Sequence, residues 1–231
     1  MTDPLLLLPG MICDARLFGP QIAALSSLFT LQIGRITKSE SIERIALDVL
    51  RDAPERFALA GAGMGGSVAM EVLRRAPERV SRLALIDTDP FAESSAAAAD
   101  RDPQIARVRA GGLAEVAREL VGLEHLAPGP RRDEVQALVV DMACRIGEAA
   151  FIRQSRAMQR RPDQQALLRR VKVPALVLCG ELDTLCPVRR HELMATLIPE
   201  ARLVTVPEAG HMPSLEHPAA VTEALGDWLY T

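Results

Sequence analysis

The sequence predicts an α/β protein with about six parallel strands in one sheet, helices on both faces, and a helical segment inserted after the fourth strand. Three observations predict it. Short apolar runs alternate with helical patterns, as expected of a parallel sheet buried on both sides. An interval from 91 to 170 has helical periodicity and no strand signal. A glycine-dense turn sits between a strand pattern at 57–60 and a helical pattern that follows it, and ligands in such sheets bind beyond the carboxyl ends of the strands.

Taken in order, the strands are predicted at 5–8, 29–33, 57–60, 83–86, 175–178 and 203–206. The run starts directly on a strand, so the reading has no leading β-hairpin. Ile42, Ile45, Ala46, Val49 and Leu50 form one apolar helix stripe, with spacings i, i+3, i+4, i+7 and i+8. Pro77 and Pro199 each follow a helical stretch and are expected to stop it. Val221, Leu225, Trp228 and Leu229 repeat the stripe in the last helix, where Pro218 occupies a first-turn position. Within 91–170, Leu113, Val116, Ala117, Leu120 and Val121 form one helical face, and Val135, Leu138, Val139 and Met142 another. The small polar run from Glu93 to Asp100 reads as a flexible lead-in. Residues 1–90 and 171–231 are thus expected to form the sheet-bearing core and 91–170 a helical cap over one sheet edge. No internal repeat is evident.

The chain has 231 residues, a net charge of −3, 48% hydrophobic and 25% charged residues, which suits a single globular domain with an inserted lobe. A near-neutral balance excludes a nucleic-acid platform, which needs basic excess to neutralise phosphates. With 3% aromatics, any pocket is expected to be aliphatic and Met-rich. No apolar run approaches the roughly 20 residues of a membrane span, and Leu5–Leu8, preceded by Asp3, is too short for a signal-peptide core. Cys13, Cys144, Cys179 and Cys186 have no metal-type spacing and read as reduced thiols, so a cytoplasmic location, no metal and no cofactor are expected.

Three mechanisms place a glycine-rich turn between strand and helix. A phosphate loop would end in GK[ST], which Gly61-Ala-Gly-Met-Gly-Gly66-Ser67 lacks. A dinucleotide fingerprint matches loosely as Gly61-x-Gly63-x-x-Gly66. Asp87 ends the next strand 21 residues beyond Gly66, but the helical insertion follows it, so this stays a minority reading. The third is the nucleophile elbow, G-x-S-x-G, here Gly61-Ala-Gly63-Met-Gly65 with glycine in the serine position. The order of the remaining loops matches it. Gly180-Glu-Leu-Asp183-Thr-Leu-Cys-Pro187 follows the fifth strand, Glu208-Ala-Gly210-His211-Met-Pro follows the sixth, and Leu8-Pro-Gly-Met11-Ile-Cys-Asp14 follows the first.

These motifs resemble the α/β-hydrolase superfamily, in particular its small esterase and lactonase-like members, over nearly the whole chain. Phe151-Ile-Arg-Gln154 and Met158-Gln-Arg-Arg161-Pro-Asp163 are similar to that group's cap helix. The resemblance implies that His211 is the general base and that Asp183 orients it. It also implies that the backbone N–H groups of Met11 and Met64 form the oxyanion hole, aided by the helix N-terminus, and that Gly63 stands at the nucleophile position. The implied substrate is a partly apolar ester, thioester or lactone; neither nucleic acid nor a membrane is expected as partner, and the assembly would be a monomer or homodimer. Asp87 is the runner-up acid. His217 reads as a cap or surface group, His125 and His191 as helical residues outside the constellation, Cys13 as packing, and Ser67 as pointing away. Arg153, Arg156 and Arg161 read as solvated or ion-paired, with one of them able to meet an acidic substrate.

Glycine at 63 has three explanations. Intact acid and base loops favour a Ser→Gly replacement in a Ser-His-Asp hydrolase, made to trap a ligand and leaving an inactive variant. The second is a natural enzyme in which the His211–Asp183 dyad acts directly as a base, in water-mediated hydrolysis or in lyase, cyclase or isomerase chemistry. The third is a non-catalytic ligand-binding protein.

Overall fold

The computed structural model describes residues 3–230. Six strands form one parallel sheet in the order β2-β1-β3-β4-β5-β6. They are β1 (Leu5–Leu8), β2 (Leu31–Ile33), β3 (Phe57–Ala62), β4 (Val80–Ile86), β5 (Ala175–Gly180) and β6 (Arg202–Val206). The helices are α1 (Gly19–Leu25), α2 (Ile42–Asp52), α3 (Met64–Arg75), α4 (Ser95–Arg109), α5 (Leu113–Leu120), α6 (Arg132–Ile146) and α7 (Glu148–Gln159). They continue with α8 (Gln165–Leu168), α9 (Val188–Leu197), α10 (Pro213–Glu216) and α11 (Pro218–Tyr230).

Side chains alternate across a strand, so each strand feeds two cores. Leu5 and Leu7 of β1, Ala58 and Ala60 of β3, and Leu176 and Leu178 of β5 join one core, with α1, α11 and the helices of the insertion. Leu6 and Leu8, Phe57 and Leu59, and Ala175 and Val177 join the other, under α2, α3 and α9. Burial on both faces explains why the strands read as continuous apolar runs rather than alternating ones. The stripe Ile42, Ile45, Ala46 and Val49 is buried, as are Val221, Leu225, Trp228 and Leu229.

Two local expectations are corrected. The second strand starts at Leu31 and not at 29, because the Phe29 N–H bonds the Leu25 carbonyl and closes the end of α1. The run Glu93–Asp100 is not a flexible lead-in: α4 begins at Ser95, capped by the Ser94 hydroxyl, which accepts from the Ala97 N–H at 3.2 Å. Alanine's high helix propensity and a serine N-cap together outweigh the low-complexity appearance. Between β4 and β5 the described residues form helices α4 to α8 and no strand.

Candidate active site

All six strands run parallel, so the loops after β1, β3, β4, β5 and β6 gather at one edge of the sheet. Gly63 is the hinge between β3 and α3, with φ 50° and ψ −118°. An L-residue pays about 1–3 kcal/mol in such a conformation, which glycine avoids. Its backbone is fixed on both sides: the N–H bonds the Ile86 carbonyl at 2.9 Å, and its carbonyl accepts from the Thr88 hydroxyl at 2.7 Å. Gly65 packs so tightly that a Cβ there would lie 2.1 Å from the Leu8 carbonyl oxygen, pinning the start of α3 against the end of β1. At Gly63 the situation is the reverse. A Cβ would find only the Gly10 Cα at 3.7 Å and the Asp87 carbonyl oxygen at 3.9 Å, ordinary contacts. The N–H groups of Met11 and Met64 donate to no protein acceptor among the described residues.

The structure brings the two side chains singled out in the last loops together. His211 Nδ1 lies 2.9 Å from Asp183 Oδ2, with Asp183 buried. Burial pushes the Asp183 pKa up, but the charge and hydrogen bond of His211, with the N–H groups of Cys186 and Leu185, pull it below the ordinary value. Asp87 lies beside Asp183 and is shifted in the opposite direction. Burial first, then the Asp183 charge, raises its pKa well above the ordinary carboxylate value, and Oδ1 accepts from the Gly180 N–H at 3.0 Å. Asp87 therefore buttresses the acid, and Asp183 is the carboxylate bonded to histidine.

Other supports were not visible in the sequence. Glu216 accepts from the N–H groups of Ala127 (2.7 Å), Gly210 (3.0 Å) and Met212 (2.7 Å), clamping the loop on both sides of His211. The His211 N–H bonds the His125 carbonyl, and His125 Nδ1 meets the Thr184 hydroxyl at 2.6 Å, so His125 supports the histidine loop. His191 is buried, accepts from the Thr88 N–H at 3.2 Å, and is kept neutral by burial, which lowers its pKa to about 4. Gln154 accepts from the Ile12 N–H at 3.0 Å and holds the loop after β1, where Ile12 itself has φ 58°. A β-branched residue at positive φ is strained, and with Gly63, Asp87 (φ 41°) and Glu208 (φ 55°) it makes four positive-φ backbones in the loops at this edge. His217 is a surface residue bonded to the Glu208 carbonyl, and buried Cys13 has its pKa pushed up to about 12 by burial.

One cavity of about 340 Å³ is lined by Gly63, Met11, Met64, Asp87 and His211 from the sheet edge, and by Leu120, Val121 and Met158 from the insertion. That volume suits a small organic ligand. Cys186 also lines it, and burial with the neighbouring Asp183 raises its pKa well above the usual thiol value, so it is a neutral thiol. Asp183, Cys186 and His211 each offer a ligand atom within 4.8 Å of the others, the one such group among the described residues. Asp183 and His211 are already committed to each other. The arrangement as a whole can hold a carbonyl compound between two free backbone N–H groups and a carboxylate-oriented imidazole.

The family model for the alpha/beta hydrolase family matches residues 6–224. The chain belongs to the α/β-hydrolase family. This hydrolase is 30% identical over 199 residues to a pimeloyl-acyl-carrier-protein methyl ester esterase from Aromatoleum aromaticum, covering 80% of this chain and 78% of that one. Its structure is similar to that of a malate-bound thermophilic esterase from Thermogutta terrifontis, with TM-score 0.89, 29% identity, and coverage of 99% of this chain and 89% of that one. An enol-lactonase from Burkholderia xenovorans LB400 shares the fold, with TM-score 0.85 at 23% identity over 100% and 93% of the two chains. The hydrolase is thus an esterase-like member of the family. No helix among its described residues is long and apolar enough to cross a membrane.

Proposed function

We propose that this hydrolase is a carboxylic-ester hydrolase of the Ser-His-Asp type in which glycine replaces the serine nucleophile, leaving every other part in place. One observation carries the reading: the backbone at 63 keeps the elbow conformation, and a side chain there would have room to sit in the cavity that His211 lines. With serine at 63, His211 Nε2 would take the hydroxyl proton as Oγ attacks the ester carbonyl, and return it to the leaving alkoxide. Asp183 would stabilise the imidazolium, and the Met11 and Met64 N–H groups would receive the oxyanion. Water would then release the acid by the same path. Helices α4, α5 and α7 act as a cap over the cavity, and the apolar part of its lining favours a small, partly apolar ester or lactone. The kinship to named esterases supports this substrate class.

As it stands the chain binds such esters and turns them over poorly, because loss of the nucleophile from such a unit costs on the order of 10⁶ in kcat. Gly63→Ser is expected to raise hydrolysis of p-nitrophenyl esters by several orders of magnitude, and an unchanged rate refutes the reading. A second reading has its own support, since the open space at Gly63 and His211 share one cavity. In it, His211 deprotonates a water that attacks the ester directly. His211→Ala then abolishes the turnover of the chain as given; full retention refutes it.

A further inference from the structure

Glu93, Arg101, Arg161 and Asp89 line the same cavity as Gly63 and His211. Their side chains are 5%, 12%, 16% and 13% exposed, so two guanidinium groups and two carboxylates are carried into a largely apolar space. Buried charges are tolerated when they are paired and their donors are satisfied. Here the pairing is incomplete. Arg101 Nη2 donates to Glu93 Oε1 at 2.8 Å, but Nη1 has only the Met11 thioether, a weak acceptor, at 3.3 Å. Arg161 Nη2 reaches Asp89 Oδ1 at 3.5 Å, and its Nε lies 3.3 Å from Glu93 Oε2 without forming a hydrogen bond. The Nε atoms of both arginines are buried without an acceptor.

A purely structural ion pair on this protein looks different. Arg107 and Glu119, exposed and not among the residues that line the cavity, make two parallel bonds of 2.6 Å each. Arg74 grips Glu71 in the same fork, at 2.7 and 2.6 Å. Both arginines line the cavity, and Arg101 Nη1 is the donor left there with no oxygen acceptor. A planar anion with two acceptor oxygens is the partner that a guanidinium fork matches. Arg101 also touches the side chain of Met11, whose backbone N–H belongs to the proposed oxyanion hole, so the anion would sit about one methionine side chain from the ester carbonyl.

We propose that Arg101 and Arg161, braced by Glu93 and Asp89, form a carboxylate-binding subsite, and that the preferred substrates are short esters carrying a second, ionised carboxylate: half-esters of small dicarboxylic acids. This rests on the ester-hydrolase reading given above and names its substrate class. Monomethyl glutarate and its neutral counterpart dimethyl glutarate differ only at the group in question. In the Gly63→Ser variant the half-ester is expected to have at least tenfold higher kcat/KM, mainly through KM, with the advantage shrinking as salt rises. Arg101→Gln should cut kcat/KM for the half-ester at least tenfold more than for the diester, and Arg161→Gln serves as the second test if the first variant folds poorly. Arg107→Gln, outside the cavity, is the control. Equal kcat/KM for the two esters, or equal losses for both in Arg101→Gln and Arg161→Gln, overturns the subsite. Calorimetric binding to the chain as given keeps the two readings apart, since it needs no turnover. If Gly63→Ser hydrolyses neither ester, the hydrolase reading fails, while selective and Arg101-dependent binding of monomethyl glutarate would still establish the carboxylate site.

Discussion

Replacing Gly63 by serine tests the elbow as a piece of strained backbone as well as a nucleophile seat. The residue sits at φ 50°, ψ −118°, where a side chain costs about 1–3 kcal/mol. Steric conflict adds nothing, because the nearest atoms to a Cβ are 3.7 and 3.9 Å away. A hydrogen bond from the new hydroxyl would offset about 0.5–1.5 kcal/mol. The net cost is then about 0.5–1.5 kcal/mol; in a domain of this size each kcal/mol shifts the Tm by about 2–4 °C, so differential scanning calorimetry of Gly63→Ser should show a fall of roughly 1–6 °C. Gly63→Ala, with the strain and no hydroxyl, should fall at least as far. The serine variant, less stable, should be the active one. A rise in Tm for both variants would show that the backbone at 63 is not strained, and the elbow assignment would fail with it.

The acid pair gives a pH prediction. Asp87 binds its proton more tightly folded than unfolded, so its contribution to stability is full below the ordinary carboxylate range and is lost as pH rises through its raised folded pKa. Asp183, whose pKa is lowered, contributes above the ordinary range, and that contribution is lost as pH falls through its folded pKa. Asp87→Asn should therefore gain stability relative to the parent as pH rises, seen as diverging Tm curves; parallel curves would mean that Asp87 is ionised in the fold. Glu216→Ala leaves three backbone donors around His211 without their carboxylate. At about 1–3 kcal/mol for each donor left unsatisfied, chemical denaturation should show a loss of at least about 3 kcal/mol, and a loss under 1 kcal/mol would contradict the clamp. Gln154→Leu should cost about 1–3 kcal/mol by stranding the Ile12 N–H, and in the Gly63→Ser background it should also lower kcat, measured with a p-nitrophenyl ester.

The parts legible in the sequence were those written in local patterns. Leu5–Leu8 and 175–178 stand out because both faces of a central parallel strand are buried, and the stripe from Ile42 to Val49 because one helix face is. The chain order of the glycine turn, the Asp183 loop and the His211 loop placed the site's backbone. What escaped was everything created by long-range approach. Gln154 meets Ile12 across 142 residues and Glu216 meets Ala127 across 89; each is a polar residue in a helix whose local sequence looks like a solvated surface. Arg101 lies in a helix whose first turns are a small, low-complexity run, so its place in the cavity has no local sign. The raised pKa of Asp87 comes from its burial and from a neighbour 96 residues away, neither of which is written in the local sequence.

The hydrogen bonds at position 63 carry a wider consequence. Its N–H is spoken for by Ile86 and its carbonyl by Thr88 and the first turn of α3, so the shape of the hinge is dictated by its neighbours and not by what it displays. On the proposed reading the scaffold is an open socket: serine, cysteine or aspartate at this one position, at the strain cost given above, would each meet the same imidazole, the same carboxylate and the same pair of amide donors. A protein built this way can change its reaction through a single codon while the rest of the chain stays as it is.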